Sequence, residues 1–178
     1  MHHPFPLERL PPHPNPFPPG QIATEWLCAL RGYLAVIAAG NLIWEFLHMP
    51  LYTIWFTGTW AEIVFAALHC TGGDILIALS TLMLALILAG DRAWPIQGFR
   101  RVAVLTVLFG VGYTIFSEWL NIVVRAAWAY SDFMPVVPLF GTETGFSPLL
   151  QWIVIPLLAF HWARRRTVVQ PTMSGAMT

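Results

Sequence analysis

The run Asp74-Ile75-Leu76-Ile77-Ala78-Leu79-Ser80-Thr81-Leu82-Met83-Leu84-Ala85-Leu86-Ile87-Leu88-Ala89 decides the fold, because after its opening aspartate it carries no charge at all. Such a segment has no polar face to turn to water, so hydrocarbon is its natural solvent. A helix needs about 20 mostly apolar residues, at about 1.5 Å each, to cross a bilayer. Three other stretches read the same way: Gly32 to Met49, Val102 to Leu120 and Pro148 to Ala163. The fold class these segments predict is all-α, a polytopic membrane bundle of four transmembrane helices. Composition agrees: 10% of residues are charged and 57% hydrophobic, whereas a soluble domain carries about 25% charged residues.

A fifth apolar run, Trp60 to His69, is too short to span a bilayer. It is either a short interfacial helix between spans one and two or an N-terminal extension of span two through Gly72-Gly73. That glycine pair weakens a helix without forbidding it. Around the transmembrane domain, residues 23–166, lie two tails expected to be disordered, 1–22 and 167–178. The first is proline-rich and reads as extended, solvated chain, with no apolar run of the signal-peptide kind.

Arginine placement sets the orientation. Arg92, Arg100 and Arg101 lie between spans two and three, Arg164, Arg165 and Arg166 follow span four, and Arg9 and Arg31 precede span one. The connections 50–73 and 126–147 contain no arginine, and the chain has no lysine. By the positive-inside rule both termini are cytoplasmic. Trp26, Trp94 and Trp162 then mark the cytoplasmic interface, and Trp44, Trp55, Trp60, Trp119, Trp128 and Trp152 the opposite one. The formal net charge of zero offers no electrostatic support for a nucleic-acid partner. Cys28 and Cys70 have no neighbour at metal-site spacing and read as packing residues.

Counting inward from the arginine end brings polar residues to one level. Arg31 to His48, Asp91 back to Asp74, and Arg101 to Glu118 are each 17 positions, about 26 Å of helix against a core of about 30 Å. Glu45 lies one turn deeper, and Gln151 belongs to the same end of span four. Asn41, Glu45 and His48 share one helix face, as do Thr114, Glu118, Asn121 and Arg125. An ionisable residue inside a span costs roughly 2.5–3.5 kcal/mol, so such groups face inward and find partners.

Three readings of this cluster stay open. It is structural, with Arg125 pairing Glu118 or Asp74 and Asn121 bridging helices. It is a metal site, in which Glu45 and His48 form Glu-x-x-His and His69 and Glu118 complete a shell for zinc or iron, or His48 and His69 hold a haem. Or it performs metal-free acid–base chemistry, with Glu45, Glu118 and Asp74 as the catalytic carboxylates. In that case Arg125, Asn121, Gln151 and Trp128 would bind a lipid or lipophilic small molecule entering sideways from the bilayer. Glu62 joins the cluster if Trp60 to Ala89 is one helix, and otherwise sits at the water interface. The connection Trp128 to Gln151, rich in proline and apolar residues, is expected to fold down as a lid, with Ser147 capping span four. Pro156 is expected to kink that span. Gly110 and Gly112 permit close packing inside the bundle or between protomers of a homo-oligomer.

The run Phe116-Ser117-Glu118-Trp119-Leu120-Asn121, then Arg125, Trp128-Ala129-Tyr130-Ser131, Met134-Pro135 and Ser147-Pro148-Leu149-Leu150-Gln151-Trp152, together with Trp44-Glu45 and His69-Cys70, resembles a group of small bacterial inner-membrane proteins. The resemblance covers most of the chain between the tails. It implies a location, the bacterial inner membrane, and no activity.

Overall fold

The computed structural model describes residues 19–168. Residues 1–18 and 169–178, most of the two tails expected to be disordered, lie outside the described residues. Helix α1 spans Pro19–His48, so it starts before the expected domain boundary at 23, and it passes through a 3-10 turn at Met49–Leu51. A one-turn helix α2 (Ile54–Thr57) leads to α3 (Trp60–Ala89) and α4 (Phe99–Glu118), which continues as a π-helical turn at Trp119–Val124. Strands β1 (Val136–Leu139) and β2 (Thr142–Gly145) precede α5 (Phe146–Val168). Helices α1, α3, α4 and α5 are each long and apolar enough to cross a membrane. Helix α1 packs on α3 and α5, and α4 on the same two, so the four close into a ring.

Trp60–His69 is the N-terminal part of the second span. The local cause is a capping box: Thr59 N–H donates to Glu62 Oε2 at 2.8 Å, and Glu62 N–H donates back to Thr59 Oγ1 at 3.4 Å. Glu62 is thereby committed to the helix start and does not join the cluster. The helix runs through Gly72-Gly73 unbroken, since a backbone out of water keeps its own hydrogen bonds whatever the side chain. A short helix does sit between spans one and two, built from Ile54–Thr57.

Polarity is turned inside out relative to a water-soluble bundle. Leu47, Leu76, Ile87, Leu88 and Leu108 are exposed, while Asn41, Glu45, Asp74, Thr106, Thr114, Glu118 and Gln151 are buried. Hydroxyls within the spans bond to the carbonyl one turn back: Thr71 to Ala67, Thr81 to Ile77, Thr106 to Val102, and Thr114 to Gly110. A polar atom buried inside the bundle needs such a partner, because no water is there to supply one. This distribution is that of a multi-pass membrane protein.

Two of the tryptophans are buried in the packed core. Trp152 packs inside the bundle against Gly110, where a Cβ would lie 2.4 Å from the indole Cε3. Trp94 is also buried and meets Trp26 edge-on, with ring centroids 6.0 Å apart. Gly112 meets nothing within 4 Å, so the bundle itself gives it no close neighbour.

The connection between α4 and α5 contains an antiparallel hairpin that the sequence reading does not anticipate, with Val136 opposite Gly145 and Leu139 opposite Thr142. Its two-residue turn, Phe140-Gly141, has φ of 50° and 81°. Both are left-handed, as the commonest hairpin turns require. Only Gly141 suits that conformation, which is why the turn is hard to see in the sequence. Nearer the helices the two outer connections are stitched together. Thr53 N–H donates to Ala129 O (3.0 Å), Ser131 N–H to Leu51 O (2.9 Å) and Ser131 Oγ–H to Pro50 O (2.9 Å).

Candidate functional site

Helix α1 presents Asn41, Glu45 and His48 on one buried face, at the spacing that puts side chains in a column. Opposite them stands Gln151 of α5. Its Nε2 lies 2.9 Å from Asn41 Oδ1, 3.0 Å from Glu45 Oε1 and 3.1 Å from Asp74 Oδ2. One side-chain amide therefore joins α1, α3 and α5. An amide nitrogen carries two hydrogens, and three oxygens compete for them.

A second chain of bonds runs along the same face. His48 Nε2 is 3.1 Å from Glu45 Oε2, and His48 Nδ1 is 3.1 Å from Ser147 Oγ. Trp44 Nε1–H donates to that same Ser147 Oγ at 3.2 Å. Directions follow from donor arithmetic. With neutral imidazole, the indole N–H fills a lone pair of Ser147, whose hydroxyl hydrogen goes to Nδ1, and Nε2–H goes to Glu45. The result is a hydroxyl–imidazole–carboxylate relay, buried and fully paired.

Glu118 of α4 completes the polar layer through a loop residue. The Tyr130 hydroxyl donates to Glu118 Oε2 in a short hydrogen bond and accepts from the Gly145 N–H at 2.7 Å. The Tyr52 ring bridges the two halves, 5.3 Å from His48 and 5.7 Å from Tyr130 between centroids. Burial, reinforced by the nearby Glu118 carboxylate, pushes the phenols of Tyr52 and Tyr130 above the usual tyrosine range. Both stay protonated at neutral pH, so Tyr130 holds a hydrogen to give. Its ring also lines an open cavity of about 320 Å³ with Thr53, Phe56, Ser131, Asp132 and Phe133. The Trp128 indole N–H is buried and has no acceptor among the described residues.

Thus Glu45, His48, Asp74 and Gln151 meet directly, and Glu118 is tied in through Tyr130. Other candidates lie elsewhere. His69 is exposed and stacks on Phe65, with centroids 5.6 Å apart. The buried face of α3 is Ile63, Ala67, Thr71, Asp74 and Ala78, and position 69 falls outside it. The shell of His48, His69, Glu45 and Glu118 therefore does not assemble. Among the described residues no group of three or more His, Cys, Asp and Glu is placed to hold a metal ion. A haem between His48 and His69 fails for the same reason.

Arg125 is exposed and, among the described residues, reaches only Asn121 Oδ1, at 3.3 Å, not Glu118 or Asp74. Asn121 serves its own helix, donating to Ser117 O at 2.9 Å, and bridges nothing. The cause is the π turn at Trp119–Val124. It takes more residues per turn than an α-helix, so the stripe through Thr114 and Glu118 does not continue to Arg125. Ser147 does not cap α5, which starts at Phe146; its hydroxyl faces the relay instead. Tyr52, Tyr130 and Trp44 were not among the expected site residues. Tyr130 stands in the proline-rich connection read as a lid, and that connection does close over Glu118.

Fold and site together define a multi-pass membrane protein with a buried carboxylate–imidazole network. No protein-family model, curated protein or solved structure matches the chain.

Proposed function

We propose that the protein resides in a bacterial inner membrane, with both termini cytoplasmic, and that its network handles a proton for a lipid or lipophilic small molecule bound near the periplasmic face. One observation carries this reading: Tyr130 lines the open cavity while its hydroxyl bonds to buried Glu118. A ligand hydroxyl in the cavity gives its proton to Tyr130 Oη as Tyr130 passes its own to the Glu118 carboxylate, which acts as general base. The relay Ser147–His48–Glu45 keeps the Glu45 carboxylate hydrogen-bonded in the same layer.

A second reading, a non-catalytic assembly or transporter subunit with a structural network, is favoured by the way Gln151 sets one amide nitrogen against acceptors of α1 and α3, an interhelical tie that needs no ligand. The two are separated by purifying wild type, Tyr130→Phe and Glu118→Gln in mild detergent, then extracting and weighing retained lipophilic molecules. The proton-handling reading expects about one molecule per wild-type chain and at least a tenfold loss in both variants, each remaining monodisperse. Equal retention in all three proteins would overturn it. Aggregation of both variants would select the structural reading.

A further inference from the structure

The arginine end of the bundle carries a cavity that the network does not explain. It measures about 450 Å³ and is lined by Ile96, Gly98, Phe99, Arg100, Arg101 and Arg164, among others. We propose that it is a binding site for the phosphate of an anionic phospholipid headgroup.

Three arginines from two helices line one hollow, and guanidinium is the side chain best shaped for phosphate oxygens. Arg100 and Arg101 make no ion pair with any described carboxylate. Asp91, whose Cβ lies beside Gly98, turns its Oδ1 to the Ala93 N–H at 2.8 Å and does not line the cavity. The hollow sits against the first turn of α4, where Gly98, at φ 70°, provides no side-chain cap. The first N–H groups of a helix lack partners within it, and the helix dipole favours an anion there. Arg164 also lies over the Phe99 ring, 5.9 Å from its centroid, which holds that guanidinium at the cavity wall.

The surroundings select a lipid over a free anion. Exposed Val104 and Leu108 follow Arg101 on its face of α4, and exposed Leu157 precedes Arg164 by two turns on α5. Acyl chains entering from the cavity therefore run along apolar helix surface, while the phosphate stays among the arginines. Basic pockets between transmembrane helices bind anionic headgroups in this way.

The test uses full-length protein in detergent, with native mass spectrometry to count bound phosphatidylglycerol and phosphatidylcholine. Wild type should retain one phosphatidylglycerol in preference to phosphatidylcholine. The double variant Arg100→Gln/Arg101→Gln should bind it about thirtyfold more weakly, at roughly fivefold per arginine. Arg92→Gln, outside the cavity, should match wild type, and millimolar inorganic phosphate should not displace the lipid. The proposal falls if wild type shows no preference, if Arg92→Gln weakens binding as much as the double variant, or if inorganic phosphate competes at equal concentration. Should the double variant not fold, Arg164→Gln replaces it, with at least a fivefold loss expected and an unchanged affinity overturning the proposal.

Discussion

At the scale of single residues, Gln151 holds the largest share of the polar layer, because its one amide nitrogen lies within hydrogen-bond distance of Asn41, Glu45 and Asp74. Gln151→Leu keeps similar bulk and leaves three buried acceptors short of a donor, two of them carboxylates. The expected loss is about 2–3 kcal/mol, above the ~0.6 kcal/mol typical of one interhelical bond in a membrane protein. Ser80→Ala is the control, since Ser80 bonds only to Leu76 O of its own helix and is exposed; it should change stability by less than about 0.5 kcal/mol. Unfolding in mixed detergent micelles measures both. The polar residues of α1 and α5 were legible in the sequence because α-helical spacing alone places them. His69 and Arg125 were not. One falls off a face that only the whole of α3 reveals, and the other follows a π turn that no residue pattern announces.

Elements show where local chemistry was strong enough to read. The spans follow from apolar length, and the early start of α3 stands in Thr59-Trp60-Ala61-Glu62, a capping box that fixes Trp60 as the first helical residue. The hairpin is the opposite case. Phe140 adopts a left-handed conformation that its side chain disfavours, so the turn rests on Gly141 and on the paired strands rather than on propensity. Close approach of α4 and α5 rests on one atom's absence at Gly110. Gly110→Ala would set a methyl group 2.4 Å from the Trp152 ring. The indole must move, at an expected cost of about 1–3 kcal/mol. Gly112→Ala, which meets nothing, should be neutral or mildly stabilising in the same unfolding assay.

For the whole molecule, the ring of four helices puts the Gly90–Gly98 connection and the C-terminal end of α5 at one end, and the stitched outer connections at the other. Arg92, Arg100, Arg101, Arg164, Arg165 and Arg166 lie at the first of these. Reporter fusions after residue 92 and after residue 166 should therefore both be active as cytoplasmic fluorescent proteins, and an alkaline phosphatase inserted at the Phe140-Gly141 turn should be active. A fluorescent fusion after residue 166 with phosphatase activity at residue 92 would contradict the orientation. The fold is the part of this molecule carried by bulk sequence properties. The relay is not, since it depends on how four separated segments meet.

That meeting has an order in time. Helices are made from the N-terminus onward, so Glu45 and Asp74 enter the bilayer before the residue that bonds them both, Gln151, has been synthesised. Until the last helix arrives, two carboxylates wait in hydrocarbon without their common donor, a state disfavoured by several kcal/mol. The first three spans must then be sheltered by the insertion machinery or linger at its aqueous edge, and release into lipid becomes a single late event governed by the final helix.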